Sequence, residues 1–305
     1  MNKKVIEVKN LRKTYGSVVA VEEISFEVYE GEIFGMVGPN GAGKTTTVEC
    51  VEGLRKPDKG ELRILGLDPQ EEGYSLRQRI GVQLQETALQ DHLKVWEALD
   101  LFASFYSHPV DWQILLEKMN LAEKRNAAFN KLSGGQKQRL FIALALVNNP
   151  ELVFFDELTT GLDPQARRNM WDMVRDIRQQ GKTVVLTTHF MEEAERLCDR
   201  VAIVDQGRIV ALDTPANLIR NLGAENRVVF TINGEFKAEK LNELASVTRV
   251  EQSGDRCEIY GWDEKLIVDV VNALSKNGCA FRDLRTEQPT LEDVFLALTG
   301  KEMRN

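Results

Sequence analysis

The sequence predicts an α/β fold built on a mostly parallel sheet, followed by a smaller α+β sandwich of ferredoxin-like connectivity. Three observations carry that prediction. Apolar strand patterns alternate with helical patterns from residue 33 to residue 205, the rhythm of a parallel sheet with crossover helices. A glycine-rich segment, "GPNGAGKTT" at residues 38–46, joins one such strand to the helix that follows. Near residue 223 the pattern changes to shorter, half-buried strands. A length of 305 residues suits two domains, and the change of pattern puts them at 1–222 and 223–305.

Residues 5–37 read as strands: "VIEVKNLRKTY" alternates, "ISFEVYEGE" follows, and "EIFGMVG" is a short apolar run ending at glycine. "TTTVECVEGL" then reads as a helix. Between residues 90 and 130 no strand pattern is clear, whereas "VWEALDLFASFY" and "DWQILLEKMNL" are helical. A helical subdomain inserted at about residues 86–150 accounts for this. Strands "LVFFDE", "TVVLTTH" and "RVAIVD" then alternate with helices "ARRNMWDMVRDIRQQG" and "FMEEAERLC".

In the second domain "RVVFTING", "SVTRVEQSG", "RCEIYGW" and "CAFRDLRTEQ" are strands. "EKLIVDVVNALSKNG" is a helix with Leu266, Val270 and Leu274 on one stripe and Gly278 as its cap. The expected order is strand, helix, strand, strand, helix, strand. The final helix, "LEDVFLALT", has Thr290 as N-cap, Leu291, Val294, Phe295 and Leu298 on a stripe, and Gly300 beyond its end.

Bulk properties exclude several classes. A net charge of -8 argues against a nucleic-acid binder, which usually shows a basic balance. Cys50, Cys198, Cys257 and Cys279 lie far apart without C-x-x-C spacing, as reduced, packed thiols would, and no zinc site is expected. The first residues, "MNKKVIEVKN", lack the apolar stretch of a signal peptide. No run approaches the ~18 apolar residues of a spanning helix, so a pore would have to come from another polypeptide.

The segment Gly38, Pro39, Asn40, Gly41, Ala42, Gly43, Lys44, Thr45, Thr46 fits G-x-x-x-x-G-K-[ST] between a strand and a helix. Glycines let backbone N–H groups turn toward phosphate oxygens, and the helix N-terminus adds partial positive charge. Lys44 is expected on the β- and γ-phosphates and the Thr45 hydroxyl on Mg²⁺. "LVFFDE" releases Asp156 and Glu157 at the carboxyl end of a buried strand, and "VVLTTH" delivers His189 in the same way. Open α/β sheets bind ligands at that edge. Asp156 suits the Mg²⁺ shell, and Glu157 suits orienting and deprotonating an attacking water.

A second glycine-lined helix start lies in "LSGGQKQRL". Ser133 and Gln136 form an S-x-x-Q capping box, with Leu140, Ala143, Leu144 and Val147 continuing as an apolar stripe. The box does not require Gly134 and Gly135, each unfavourable by roughly 1 kcal/mol against alanine in a helix interior. They make sense if something approaches the backbone closely. Either one chain holds separate phosphates at its two helix starts, or two chains meet head to tail and each offers this start to the nucleotide of the other.

Taken in order, "YG", "GPNGAGKTT", "LSGGQKQR", "LVFFDE", "GLD" and "TTH" resemble the nucleotide-binding subunit of ABC transporters over roughly residues 3–222. The resemblance implies a P-loop NTPase with an antiparallel β subdomain and a helical subdomain, and it selects the head-to-tail homodimer around two ATP molecules. It implies that Tyr15 stacks on adenine, that Gln85 is the Q-loop glutamine touching Mg²⁺ (with Gln83 a nearby competitor), that Asp163 lies at the dimer contact, and that His189 is the switch histidine. Leu158 departs from the family, which commonly has proline there. The tail "QPTLEDVFLALTG" resembles ATPase subunits of bacterial drug, antibiotic and sodium exporters. The implied protein hydrolyses ATP with Mg²⁺, sits peripherally on the cytoplasmic face of the membrane, and drives export through a separate integral-membrane permease. The alternative is a non-transport ABC ATPase acting on ribosomes or DNA. One phosphate loop and no sustained heptads weigh against it.

Overall fold

The computed structural model describes residues 3–83, 89–223, 225–233, 238–262 and 265–300, apart from the Glu239 side chain. Gln85 lies outside the described residues. The chain divides into two compact units at Pro215/Ala216.

In the first unit β1 (Lys4–Tyr15) and β2 (Val18–Tyr29) pair antiparallel, and β3 (Ile33–Val37) leads into the glycine-rich loop and α1 (Lys44–Val51). Next come β4 (Lys59–Ile64), the short α2 (Gly73–Arg77) and β5 (Ile80–Gln83). The insert follows, with α3 (Val95–Ala103), α4 (Trp112–Lys118) and α5 (Gly134–Leu146); its described residues hold no strand beyond an isolated Lys94–Ala128 bridge. β6 (Leu152–Asp156), α6 (Pro164–Gln179), β7 (Thr183–Thr188), α7 (Met191–Leu197), β8 (Arg200–Asp205) and β9 (Arg208–Asp213) complete the unit.

These strands make two sheets. One is three-stranded and antiparallel, in the order β2-β1-β4; the other is six-stranded, in the order β5-β6-β7-β3-β8-β9. The large sheet is parallel except for its edge strand β9. Its central strands "IFGMV", "LVFFD" and "TVVLTT" are buried along their whole length, which is why they read as continuous apolar runs rather than alternating ones. Phe34, Phe154 and Phe155 are fully enclosed, each stabilising the unit by roughly 1.5–3 kcal/mol.

The insert is anchored to this sheet through α5. A Cβ on Gly81 of β5 would lie 1.9 Å from the Ala145 carbonyl oxygen, so only glycine allows the helix to come this close. Past the end of α5 the buried Asn148 donates its amide to the carbonyls of Arg77, Gln78 and Ile80. Helix α5 and the start of β5 are thereby tied together.

The second unit begins with α8 (Pro215–Asn221), which the contacts group with it although the strand pattern starts only near residue 223. Strands β10 (Asn226–Asn233), β11 (Arg249–Ser253) and β12 (Arg256–Gly261), helix α9 (Leu266–Lys276), strand β13 (Ala280–Glu287) and helix α10 (Leu291–Thr299) follow. The four strands form an antiparallel sheet in the order β11-β12-β10-β13, the spatial order of a split βαβ arrangement. Leu266, Val270 and Leu274 of α9 share a core with Val228, Phe230 and Ile232 of β10.

Two expectations change here. The first helix of the strand–helix–strand order is a short 3-10 helix, Ala238–Glu243, in place of an α-helix, and it buries Ala238 and Leu241. In α10, Leu291, Val294 and Phe295 are buried as expected, but Leu298 is 49 % exposed. It lies in the last turn, just ahead of the left-handed cap at Gly300.

Candidate active site

Strand β3 ends at Val37, and the chain wraps from Gly38 to Gly43 before α1 begins at Lys44. No side chain caps α1, so its first N–H groups are left for another acceptor. Gly43 adopts φ +100°, and a Cβ there would meet the Ala20 carbonyl oxygen at 2.3 Å. The loop therefore packs against β2 in a form only glycine permits. The Lys44 ammonium is buried and donates to the carbonyls of Gly38 (2.8 Å) and Pro39 (3.0 Å). Burial lowers its pKa, while the charges of Glu157 and Asp156 hold it up. A buried cation hydrogen-bonded, among the described residues, to neutral carbonyls favours an incoming anion.

Strand β6 brings Asp156 beside this loop. The Thr45 hydroxyl lies 3.2 and 3.4 Å from the Asp156 carboxylate oxygens. The Thr187 hydroxyl makes a short hydrogen bond to the same carboxylate, because Asp156 and Thr187 are register partners on β6 and β7. Burial raises the Asp156 pKa, and the bonds from Thr187 and Thr45 oppose the rise. A carboxylate and a hydroxyl held side by side at a phosphate loop are hard oxygen donors of the kind Mg²⁺ takes, so these residues fit that ion.

Glu157 follows with φ +49°, a left-handed conformation uncommon outside glycine. Its backbone N–H donates to the Thr187 carbonyl and hydroxyl at 3.1 and 3.2 Å. One carboxylate oxygen lies 3.4 Å from His189 Nδ1. The turn beyond it is held from behind by Glu193 of α7, which accepts from the Thr159 hydroxyl and the Trp171 indole, both at 2.9 Å. Leu158 is buried in this turn.

Tyr15, Ala20, Asn40, Gly41, Gly43, Lys44, Thr45, Thr46 and Glu157 line one open pocket of about 360 Å³. The Tyr15 ring is 41 % exposed at its rim, with Arg55 and Lys13 at 5.4 and 5.6 Å from the ring centre. Each cation is itself held, Arg55 by Glu49 and Lys13 by Asp58 at 3.0 Å.

The second helix start forms as its sequence implied. Ser133 Oγ accepts from the Gln136 N–H at 3.3 Å, and Gln136 Oε1 accepts from the Ser133 N–H at 3.0 Å. Yet Ser133, Gly134, Gly135 and Gln136 do not line the Lys44 pocket. A Cβ on Gly134 would touch nothing within 4 Å, and one on Gly135 only Ala166 Cβ at 4.0 Å. Asp163 likewise stays apart from the pocket, capping α6 by accepting from the N–H groups of Gln165 and Ala166.

This geometry can be set beside known proteins. The family model described as "ABC transporter" matches residues 21–160. The Nod factor export ATP-binding protein I of Ralstonia nicotianae is 39 % identical over 99 % of this chain and 95 % of its own length. The protein of the same name from Burkholderia thailandensis is 41 % identical over 98 % of each. The chain belongs to the ABC transporter ATP-binding family. A solved ATP-binding subunit of an ABC transporter superposes with a TM-score of 0.65 at 29 % identity, covering 72 % of this chain and 93 % of that one. A dimeric bacterial ABC transporter cassette does so with a TM-score of 0.61 at 30 % identity, over 68 % and 98 %. This ABC protein is accordingly an ATPase, and no helix among its described residues is long and apolar enough to cross a membrane.

Sequence reasoning missed several supports of the ABC site. Thr187 grips both Asp156 and the backbone of Glu157; pairing "LVFFDE" with "TVVLTT" in parallel register would have exposed it. Arg55 and Glu193 had no local signal, because each acts from a segment distant in sequence, whereas Lys13 shares β1 with Tyr15.

Proposed function

We propose that this chain is the ATPase subunit of an exporter, closing head to tail with a second copy around two ATP molecules and opening on hydrolysis. The observation that carries this reading is the pair of glycines at the capped start of α5. Among the described residues nothing lies within 4 Å of a Cβ on Gly134 and only Ala166 Cβ within 4.0 Å of one on Gly135, and the Lys44 pocket is open. A partner's Gly134–Gly135 edge brought to that pocket would supply further N–H donors to the γ-phosphate. The relatives named for Nod factor export support the exporter reading, and the dimeric cassette supports a dimer.

In that assembly Tyr15 stacks on the adenine, and the Gly38–Thr46 loop with Lys44 binds the phosphates. Thr45 and Asp156 hold Mg²⁺, with Gln85 as a further ligand; the ion shields the charge of the β- and γ-phosphate oxygens when bound. Glu157 orients a water and takes its proton as the water oxygen bonds to the γ-phosphorus. The bond to the β–γ bridging oxygen breaks, leaving ADP and inorganic phosphate. His189, whose Nδ1 lies 3.4 Å from a Glu157 carboxylate oxygen, senses the γ-phosphate. Asp163 lies at the seam between the copies. The helical insert passes closure to an integral-membrane permease, which places the subunit on the cytoplasmic face of the membrane, and the second unit assists association.

Replacing the base tests the assembly and the chemistry together. Glu157→Gln keeps shape and removes proton acceptance, so turnover falls by about 10²–10⁴-fold while ATP binding persists. With Mg²⁺ and ATP the variant elutes as a dimer in size-exclusion chromatography with light scattering. A strictly monomeric ATP-bound variant refutes the shared site, and normal turnover refutes the role of Glu157.

A further inference from the structure

Away from the phosphate loop, a cavity of about 460 Å³ opens where the helical insert meets the core. Leu115 and Lys118 of α4 with Met119 just after it line one side, and Ile177 of α6 with Lys182, just before β7, line the other. Its floor is apolar, with Leu115, Met119 and Ile177 all buried. Its rim is cationic. Lys118 Nζ donates to the Gln180 side chain at 3.2 Å, and Lys182 Nζ donates to the Asn149 side chain and the Pro150 carbonyl, both at 2.8 Å.

Those partners are neutral. Neither lysine forms an ion pair among the described residues, and the Asp176 carboxylate at the same rim forms none with them. Burial first and then the charge of Lys118 lower the pKa of Lys182, and the Glu151 carboxylate, itself paired with Arg79, only partly opposes them. An apolar floor with a few convergent polar groups is the composition of a small-molecule site. The excess of two ammonium groups over one carboxylate sets the sign of the ligand.

We propose that this cavity binds a small amphiphilic carboxylate, its aliphatic body on the Leu115–Met119–Ile177 floor and its carboxylate between Lys118 and Lys182. Such a ligand touches α4 of the insert and α6 of the core at once, so occupancy ties the two together. None of this depends on the exporter reading.

Calorimetric titration of the full chain with octanoate, 1-octanol and octylammonium separates body from charge. Octanoate is expected to bind, 1-octanol about tenfold more weakly, and octylammonium not at all. Lys118→Gln should weaken octanoate about tenfold and leave 1-octanol unchanged. Met173→Trp, at a half-buried lining position, fills the cavity and should abolish binding of both while MgATP binding, measured in parallel, shows the chain folded. Equal affinity for octanoate and 1-octanol overturns the proposal. So does octanoate binding that survives both substitutions, or its absence from the unaltered protein.

Discussion

The two glycine-lined helix starts look alike in sequence and differ in almost every physical respect. At α1 the glycines are forced by the chain itself: Gly43 has φ +100° and sits against the Ala20 carbonyl. No side chain caps that helix, and its N–H groups, Lys44 and Thr45 face a pocket. At α5 the backbone is ordinary, Ser133 and Gln136 cap the helix, and the glycines face open space. One start opens on a pocket lined by its own chain. The other sets two glycines, poor helix formers, where a Cβ would meet almost nothing among the described residues.

The largest effect that could break this contrast comes from adding one methyl group at the first start. Gly43→Ala puts a Cβ 2.3 Å from a carbonyl oxygen in a backbone form that L-residues avoid. Strain and overpacking together should cost about 2–5 kcal/mol, and ATP binding should be lost. Thermal melting and a nucleotide titration read both. A variant that melts and binds as the parent does would mean that Gly43 is not dictated by packing.

The same methyl at the second start should act in the opposite sense on stability. Gly135→Ala meets only Ala166 Cβ at 4.0 Å, so the monomer should gain from a few tenths to about 1 kcal/mol of helix propensity. Nucleotide binding to the isolated chain should be unchanged, yet ATPase activity should drop by about tenfold or more as the methyl obstructs the partner's phosphates. Unchanged activity would show that the space is idle, and the contrast between the two starts would lose its functional meaning.

Much of this was legible in the sequence because the site's parts are local. The phosphate loop, the Ser133–Gln136 box and the acids closing "LVFFDE" each occupy one short segment, and a buried parallel strand announces itself as an unbroken apolar run. What escaped was not local. Strands β4 and β5 carry few apolar residues, "KGELRI" and "IGVQ", and are fixed by their neighbours: β4 pairs with β1, and β5 is covered by α5. Thr187 matters through its register opposite Asp156, which no single segment displays. Leu298 matched a helical stripe, yet position on a stripe does not decide burial in the last turn of a short helix.

The far ends of the same two helices extend the comparison and carry the smallest effect. Beyond α5, the Asn148 amide nitrogen is fully engaged by three carbonyls. At the end of α1, Glu52 is 3 % exposed and its Oε2 has no hydrogen-bond partner. Burial, with the charges of Asp156 and Glu49, pushes its carboxyl well above the usual 4.5. Below that ordinary value the folded and unfolded chains both carry the proton, and the group adds no pH dependence. Above it the unfolded chain releases the proton while the folded one retains it, so stability drains away as pH rises toward the folded pKa. Glu52→Gln cannot titrate. Its melting temperature should therefore match the parent's closely near pH 4 and exceed it by about 2–4 °C near pH 8, read by calorimetry on the full chain without nucleotide. A difference that does not grow with pH would place the charged carboxylate in the native state, and the end of α1 would then hold a counter-charge as surely as its beginning awaits one.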